Sequence, residues 1–502
     1  MKQGEISVPY EQDETTVLDI LRRRGIHIPA PCGGNGTCGK CIVKIAGEDC
    51  LACQTFFDED MEILVESEGE ISVLSVYEDM GPVECDRYES ACGGEPARSF
   101  GIAIDIGTTT LAFELLDTRD GARLGVHSRV NSQRVFGADV VTRIAKAVEG
   151  AASQLNEYII EDIHLGISEL LTKTKIKQEE IVCIAITGNT TMLHLLRNLP
   201  CDTLGAYPFT PVTVASHCSS FADTEVIILP GISAFVGADI VAGILFCGWP
   251  KITGASILID LGTNGEMALF TRDKILATST AAGPAFEAGN ISAGAGSVPG
   301  AIARAYCKQD CLSLNSQHLP ESSVFICETI NNKPPVGICG TGVVDIAAQL
   351  VYYGLADETG RLEDASEIVI AKTQAGQPIV FTQKDLREVQ LAKSAVRSGI
   401  EILLGEAGLK YENIEKVFLA GGFGYRIDVE NAVVLGLIPA PLKSKVQAVG
   451  NAALGGCARV LLSRTAAREA EALAAATTEI NLATHPRFNE LFMEYMGFEK
   501  EL

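Results

Sequence analysis

The chain has 502 residues, 47% of them hydrophobic, and its formal net charge is −24. This length allows two or three domains with at least one large core, and 49 glycines with a single tryptophan are typical of an α/β protein with many strand-to-helix turns. The negative charge argues against nucleic acid as the main partner, because binding to phosphates needs clustered Lys and Arg.

The sequence also predicts a cytoplasmic protein without a membrane segment. The N-terminus has no basic stretch followed by an apolar run, and no uninterrupted apolar stretch approaches about eighteen residues. Five of the 16 cysteines crowd within 22 residues, at positions 32, 38, 41, 50 and 53, and the others are scattered. This clustering indicates metal binding rather than a disulfide scaffold, and we expect the scattered thiols to be buried.

Residues 1–80 have the pattern of a small domain. The segment TTVLDILRRRGI places apolar residues at helical spacing, and CIVKIAG and MEILVES are typical of short strands. Charged and turn-forming residues follow, so we predict a linker over residues 81–98. The two cysteines of that region, Cys85 and Cys92, are expected to be incidental.

The cysteine loop PCGGNGTCGKC is followed by a further cysteine in LACQT. Cys32, Cys38, Cys41 and Cys53 have the spacing C-x5-C-x2-C-x11-C, and four thiolates are what a 2Fe-2S cluster requires. The glycines between them let the backbone wrap around the cluster and direct N–H groups at sulfur. A zinc site is the alternative, but zinc usually takes two C-x2-C pairs and only one is present. Cys50 is an alternative fourth ligand. The segment LACQT resembles the last-ligand segment of plant-type ferredoxin domains, which favours Cys53 and implies a β-grasp fold.

From residue 100 onward the pattern is that of an α/β domain. The apolar segments FGIAIDIG, IVCIAITG, ASILIDLG and KVFLAGG each run into a turn of Gly, Thr or Asn. Two stretches, AIDIGTTTLAFELLD at 103–117 and LIDLGTNGEMALFTR at 258–272, resemble each other, which indicates an internal duplication. We predict one domain over residues 99–502, with related halves at 99–255 and 256–502 and a cleft between them.

Both duplicated turns are candidate phosphate-binding sites. Glycine lets the backbone approach a ligand, N–H groups and hydroxyls bind phosphate oxygens, and Asp105 and Asp260 would face a bound Mg²⁺. Two further turns are candidates: GICGTGVVD opens a helix whose N–H groups could bind phosphate or sugar, and FLAGGFG could lie against adenine or ribose. One such turn also closes ordinary hairpins, but two copies favour ATP, and the sequence has no Walker-type P-loop. The candidate nucleotide residues are Gly107, Thr108, Thr109, Thr110, Gly262, Thr263, Asn264, Gly265, Glu266, Gly340, Thr341, Gly342, Gly421, Gly422, Phe423 and Gly424.

The order of these turns resembles the actin-like ATPase superfamily of acetate and sugar kinases, Hsp70 and actin. The resemblance implies a duplicated, ribonuclease H-like fold with two phosphate turns and a later adenosine motif. In sugar kinases of this superfamily an Asp in a G-D-x2-A-x2-G setting acts as catalytic base, and Asp239 in AFVGADIVAGILF has a similar setting. The resemblance implies that Asp239 orients the attacking water or binds magnesium, as a catalytic residue together with Asp105 and Asp260. A helix-capping role for Asp239 is the alternative.

A second resemblance covers nearly the whole chain. Besides the ferredoxin pattern it rests on TGNTTMLHLL, DLGTNGE, AAGPAFEAGNISAG, GICGTGVVD and GNAALGG. Together these resemble the reductive activators of corrinoid proteins from acetogenic and related anaerobes. The resemblance implies ATP-dependent transfer of one electron from a 2Fe-2S cluster to the cob(II)amide of a methyltransferase system, which restores cob(I)amide. The best-known members carry a middle domain between the cluster and ATPase domains, and the short distance between the two patterns predicts that this chain lacks it.

The resemblance implies a corrinoid protein as partner and a low-potential electron donor for the cluster. The expected cofactors are a 2Fe-2S cluster, ATP and Mg²⁺, and a homodimer is compatible with the sequence. Our hypothesis is that the ATPase domain docks the corrinoid protein and perturbs the axial ligation of cobalt. The segment AAGPAFEAGNISAGAGSVPGA is then a docking surface or lid, or else simply a tightly packed turn. Two alternatives stay open: a small-molecule kinase with an appended redox sensor, and a ferredoxin-tethered module that binds nucleotide without turnover.

Overall fold

The computed structural model describes residues 3–8, 16–23, 41–45, 48–56, 61–66, 77, 85–86, 99–221, 224–262, 264–308, 324–362, 366–424 and 426–498. Among the predicted site residues, Cys32, Cys38 and Thr263 lie outside these ranges, as does the side chain of Phe423. Cys92 of the predicted linker lies outside them as well.

The N-terminal unit is a small sheet with one helix. Its elements are β1 (Gln3–Val8), α1 (Val17–Arg23), β2 (Ile42–Ile45), β3 (Glu48–Leu51) and β4 (Met61–Glu66). The strands pair antiparallel in the order β1-β4-β2-β3. Val17, Leu18 and Leu21 of α1 are buried in one core with Val43 and Ile63. The predicted helix and both predicted strands are therefore present, in an arrangement that agrees with the β-grasp expectation.

A six-stranded sheet begins the larger part of the chain. Its elements and their helices are β5 (Phe100–Ile106), β6 (Thr110–Asp117), β7 (Arg123–Val130), α2 (Val140–Lys146), α3 (Ala152–Thr174), β8 (Ile181–Gly188), α4 (Thr190–Leu196), β9 (His217–Phe221), β10 (Thr224–Ile228) and α5 (Ala238–Phe246). The strand order is β7-β6-β5-β8-β10-β9. Strand β5 is apolar throughout except for Asp105 and is buried on both faces, as expected for a central strand covered by helices.

A second six-stranded sheet follows, with an inserted subdomain. Its chain order is β11 (Ala255–Leu261), β12 (Gly265–Phe270), β13 (Ile275–Thr280), β14 (Ala301–Cys307), β15 (Phe325–Thr329), β16 (Gly337–Ile338), α6 (Gly340–Tyr352), β17 (Glu367–Lys372), β18 (Pro378–Thr382), α7 (Gln383–Ala407), β19 (Ile414–Ala420), α8 (Gly421–Gly424), α9 (Val429–Val434), β20 (Val446–Gly450), α10 (Ala452–Leu462), α11 (Arg464–Ala476), β21 (Thr477–Glu479) and α12 (Phe488–Glu494). The sheet order is β20-β19-β11-β12-β13-β21, and β14 to β18 form two smaller sheets.

The two large sheets repeat one arrangement of strands. In each, a three-stranded antiparallel meander is extended by two parallel strands: β5, β6 and β7 with β8 and β10, and β11, β12 and β13 with β19 and β20. A helix follows the last strand in both cases, α5 after β10 and α10 after β20. This repetition confirms the duplication that the two similar sequence stretches predict.

Helices α5 and α10 pack against each other and join the two halves. The contact is close because small residues line it: a Cβ at Gly456 would lie 1.9 Å from the carbonyl oxygen of Ala242, and one at Gly455 would lie 2.6 Å from the ring of Phe246. Helix α10 also packs on the first sheet and contributes to the first large core. The first strands of both halves are thereby held near one junction.

Parts of the segment before residue 99 are docked on the larger domain. The Tyr77 hydroxyl donates to Glu114 Oε2 (2.7 Å), and its ring lies edge-on to Phe246 with 5.1 Å between ring centres. Asp86 accepts from the backbone N–H of Arg464 (2.7 Å) at the start of α11. Of the helices that the structure describes, none combines the length and apolarity required to cross a membrane.

Candidate functional site

Both predicted phosphate turns are tight hairpin turns after the first strand of a half. In the first, the N–H of Gly107 donates to Thr110 O (3.0 Å), and in the second the N–H of Gly262 donates to Asn264 O (3.1 Å). A Cβ at Gly107 would lie 2.7 Å from Thr110 O, so this turn requires glycine. The hairpin geometry agrees with the sequence-based prediction at both positions.

Carboxylates from both halves meet at the junction between them. Burial raises the pKa of Asp239 to about 7, and repulsion from Asp105 and Asp260 adds to this. The pKa of Asp260 is raised to about 7 by burial and by Asp105 and Glu287. The pKa of Glu266 is raised well above its ordinary value by burial and, after that, by repulsion from Asp239, Asp260 and Asp105. The structure therefore brings together the three predicted catalytic aspartates.

Asp105 is held by a residue from the far end of the chain. Burial raises its pKa to about 6, while a hydrogen bond from Asn451 Nδ2 to Asp105 Oδ2 (2.9 Å) acts in the opposite direction. Asn451 is also the N-cap of α10, where its Oδ1 accepts from Leu454 N (2.8 Å). The start of α10 is therefore aimed at the first phosphate turn.

Asp239 lies in the first turn of α5, the counterpart of α10. The N-cap of α5 is Gly237, and Asp239 Oδ1 accepts from the N–H of the next residue, Ile240 (2.9 Å). A Cβ at Gly237 would lie 2.6 Å from the Cα of Asn189, so α5 starts directly against the start of α4. Gly237 and not Asp239 is therefore the N-cap, although Asp239 accepts one first-turn N–H, and its carboxylate faces the other acids.

A bound Mg²⁺ has a suitable charge environment here. Within the described ranges no group of three or more His, Cys, Asp and Glu side chains is placed to hold a metal ion directly. Mg²⁺ usually keeps several waters and takes one or two carboxylates together with phosphate oxygens. The raised pKa values of Asp105, Asp239 and Asp260 indicate that these buried carboxylates lack a neighbouring positive charge. A Mg²⁺ ion that binds them through its waters would supply that charge.

The other two glycine-rich turns have different surroundings. Gly421 has φ +85°, and a Cβ there would lie 2.6 Å from Asp260 Oδ1, so FLAGGFG lies against the second phosphate turn. At the start of α6, Thr341 Oγ1 donates to Ala303 O (2.8 Å), and a Cβ at Gly342 would lie 2.2 Å from Ile302 O. The side chain at 341 and the glycine at 342 thus pack on β14. Only backbone N–H groups of that turn are left for a ligand.

Two of the four predicted cluster ligands lie in the described part. Cys41 is fully buried and Cys53 nearly so, and both belong to the small core of the N-terminal unit. The N–H of Ala52 donates to Cys41 O (2.8 Å), which brings the LACQT turn next to Cys41. Cys50 lies on β3, half-buried, with its thiol near Glu48 O (3.8 Å). This geometry fits Cys53 better than Cys50 as the ligand beside Cys41.

Models of known families match three consecutive parts of the chain. A 2Fe-2S iron-sulfur cluster binding domain matches residues 1–65, the RACo middle region matches 100–251, and the C-terminal domain of RACo, the ASKHA domain, matches 254–501. The corrinoid activation enzyme RamQ of Eubacterium limosum is 30% identical, with 96% of this chain and 95% of RamQ covered. The chain belongs to the family of reductive activators of corrinoid proteins.

Other members of this activator family agree over most of the chain. A Methanosarcina barkeri protein described as the reductase of a Co(II) methylated amine-specific corrinoid protein is 26% identical, covering 78% of this chain and 76% of its own. The solved structure of a reductive activator for a corrinoid, iron-sulfur protein has a TM-score of 0.72 at 26% identity, and the match covers 97% of this chain and 96% of that one. The predicted ferredoxin and actin-like ATPase domains are confirmed. The expectation that the middle domain is missing was wrong, since the middle region corresponds to the first half of the duplicated domain.

Three asparagines at the site were not identified as site residues from the sequence. Asn131 Nδ2 donates to Gly107 O (2.9 Å), Asn189 Nδ2 donates to Thr108 Oγ1 (3.1 Å), and Asn451 contacts Asp105. A signal was available for two of them, because TGNTT and GNAAL each place an asparagine between a strand and a helix, the position of an N-cap. Asn131 follows a half-exposed strand and had no such signal.

Proposed function

We propose that this chain uses ATP to drive one electron from a 2Fe-2S cluster to the cob(II)amide form of a corrinoid protein, which regenerates cob(I)amide for methyl transfer. One observation carries the proposal: paired phosphate turns with converging carboxylates lie in the same chain as a 2Fe-2S domain match. Family membership supports the reaction class, and the geometry supports the roles proposed for the residues.

The two hairpin turns are proposed to hold the phosphates. Backbone N–H groups and hydroxyls of Thr108, Thr109 and Thr110 would bind one phosphate, and the turn at 262–266 the next. Asp105 and Asp260 would accept hydrogen bonds from waters of a bound Mg²⁺, and the FLAGGFG turn would lie beside the adenosine. The positive charge of the ion would lower the raised pKa values of these acids, so that they act as carboxylates at neutral pH.

Asp239 is proposed to orient the attacking water. Its carboxylate faces Asp105 and Asp260, and the N-cap position of α5 is occupied by Gly237. A carboxylate beside the phosphates accepts a hydrogen bond from water and aims the water oxygen at phosphorus. The first turn of α5, packed against Asn189 through Gly237, would fix the direction of this carboxylate.

The ferredoxin domain is proposed to supply the electron. Cys32, Cys38, Cys41 and Cys53 would ligate the cluster, which accepts and gives up a single electron when bound. The burial of Cys41 and Cys53 would keep water from the cluster on that side. A protein of low reduction potential is proposed as the electron donor to the cluster. We also propose that two copies of this chain form a homodimer.

Cob(II) reduction requires a very low potential, so ATP must change the partner's state. A protein couples ATP to such a step only by binding the two corrinoid states with different affinity. We place the corrinoid-docking surface on the ATPase domain, residues 99–502, with the ferredoxin domain (1–80) joined through the linker 81–98. Nucleotide-dependent docking would perturb the axial ligand of cobalt, and release would follow hydrolysis.

The test mixes the reduced protein, MgATP and a cob(II) corrinoid protein from the same organism and follows the cob(I) absorption band. We expect the band to appear only with ATP, and ATPase activity to rise when the corrinoid protein is added. D273N, at an exposed turn between β12 and β13, is the matched control for D239N, which should abolish the band. Absence of an ATP-dependent band with every corrinoid partner of that organism contradicts the proposal. Phosphorylation of a metabolite instead would identify a kinase.

A further inference from the structure

The buried side chain of Arg143 lies directly behind the first phosphate turn. It is fully excluded from solvent. Its Nη2 donates to Thr108 O (2.6 Å) and its Nε to Gly137 O (2.9 Å), while Nη1 lies 3.5 Å from Gln133 Oε1 and 3.3 Å from Met192 Sδ. All four acceptors are uncharged, so the guanidinium has hydrogen-bond partners but no countercharge among them.

The nearest acidic group does not neutralise this charge. Asp139 attracts Arg143 only through space, and its carboxylate is occupied by the N–H (2.7 Å) and the hydroxyl (3.1 Å) of Thr142. Burial lowers the pKa of Arg143 to about 9, in keeping with a site that lacks a bonded carboxylate. A buried cation without an ion-pair partner is costly, so an anion close to it would be strongly attracted.

Arg143 and Asn131 together fix which way the turn faces. Asn131 donates from Nδ2 to Gly107 O and from its backbone N–H to Thr109 O (both 2.9 Å), while Arg143 donates to Thr108 O. Three successive carbonyls thus point to one side. In a trans peptide the N–H points opposite to the C=O, so the N–H groups of Thr108 and Thr109 face the other side, away from Arg143.

The hydrogen bonds described for this turn leave the N–H groups of Thr108 and Thr109 unused. The bond from Arg143 also polarises the peptide between these two residues, which makes the N–H of Thr109 a stronger donor. The second turn has the opposite surroundings, because a Cβ at Gly262 would lie 3.8 Å from Glu287 Oε1, so a carboxylate lies beside this turn. The two phosphate turns therefore differ in charge although their backbones match.

We propose that Arg143 is a positioning residue that gives the first turn its affinity for a nucleotide phosphate. It orients and polarises the peptide groups that bind the phosphate, and the phosphate supplies the missing countercharge. Arg143 does not touch the ligand; it acts through Thr108 and Thr109. This inference rests on the proposed ATP binding. It identifies the first turn, with Arg143 behind it, as the part of that site that selects an anion.

The experiment compares the full-length variants R143K, R143Q and R143M with the wild type. The matched control is R397M, which also removes a largely buried arginine, but one whose charge is paired with Glu401 (2.8 Å). ATP dissociation constants, KM and kcat for ATP hydrolysis, and melting temperatures are measured for each. R143M and R143Q should weaken ATP binding about 10- to 100-fold, with KM rising more than kcat falls. R143K should bind within a few-fold of wild type, and R397M should lower the melting temperature without changing ATP affinity.

The outcomes separate this inference from the proposed function. A wild type that binds no ATP contradicts the proposed function itself. A wild type that binds ATP, with R143Q and R143M binding equally well, overturns only the role of Arg143. Equal losses in R143K and R143Q would assign Arg143 a purely steric role and also overturn the inference. If R143M does not fold, the comparison of R143K with R143Q decides the question.

Discussion

At Asp239, burial and then repulsion from two further carboxylates raise the free-energy cost of ionisation. With a folded-state pKa of about 7 and an ordinary value near 3.9, the folded protein binds more protons than the unfolded chain between those pH values. Stability of the nucleotide-free protein therefore falls as pH rises from about 4 to about 7. We predict that D239N increases the free energy of unfolding at pH 8 by about 1–2 kcal/mol, after allowance for the partial exposure of this side chain, and abolishes ATP hydrolysis.

Urea unfolding of D239N and the wild type at pH 5 and pH 8 provides the measurement. The stabilisation should be clearly smaller at pH 5, where Asp239 of the wild type is mostly protonated. D273N should unfold like the wild type at both values, since Asp273 is exposed. An equal effect of D239N at both pH values would mean that the pKa of Asp239 is not raised in the folded protein.

Single residues were predictable where a local pattern carries the chemistry. Asp105, Asp239 and Asp260 each lie two residues from a glycine and next to an apolar run. This pattern identified Asp105 and Asp260, the resemblance to sugar kinases identified Asp239, and the structure brings the three together. The groups that hold the first turn, Asn131 and Arg143, come from a separate part of the chain and contact it only after folding. No local spacing records such contacts, which is why they were missed.

At the level of elements, the contact between α5 and α10 positions both helix starts at the site. We predict that G456A destabilises the protein by about 1–3 kcal/mol or more, because the added Cβ would lie 1.9 Å from Ala242 O and the backbone cannot give way cheaply. The shift should also move Asn451 from Asp105 and raise KM for ATP. G296A is the control, since no atom lies within 4 Å of a Cβ built there. The free energy of unfolding in urea is the measurement, and equal values for both variants would contradict this account of the helix contact.

The apolar strands were the most predictable elements, because a buried central strand is a continuous run of hydrophobic residues. The start of α6 was harder to interpret. Its GTG sequence indicates an exposed anion-binding turn, whereas the structure uses Thr341 and Gly342 to pack the helix on β14. A close helix-to-strand contact and a phosphate turn both require small residues, so the sequence cannot separate them.

For the whole molecule, Tyr77 anchors the chain before residue 99 on the ATPase domain. Its hydroxyl donates to Glu114, which is fully buried and also forms an ion pair with Arg123. Burial raises the pKa of Glu114, so loss of a donor leaves this group less well satisfied. We predict that Y77F lowers the free energy of unfolding by about 1–2 kcal/mol. Y306F, at a half-exposed ring on β14, should have no effect in the same urea titration. Equal stability of Y77F and wild type would exclude the anchor.

The last prediction tests whether the two domains have separate functions. It also decides whether Cys50 or Cys53 is the fourth cluster ligand. Cys53 is buried beside Cys41, whereas Cys50 is half-buried on β3, so C53S should lose the iron and the visible absorption of the cluster and C50S should keep both. Without its cluster, C53S should form no cob(I) from a corrinoid protein and MgATP. ATP hydrolysis should persist in C53S, because the phosphate turns lie in the other domain.

Iron content, the cluster spectrum and both activities are measured on the same samples. Loss of the cluster in C50S and its retention in C53S would reverse the ligand assignment, and loss of ATP hydrolysis in C53S would mean that the two domains do not work as separate units.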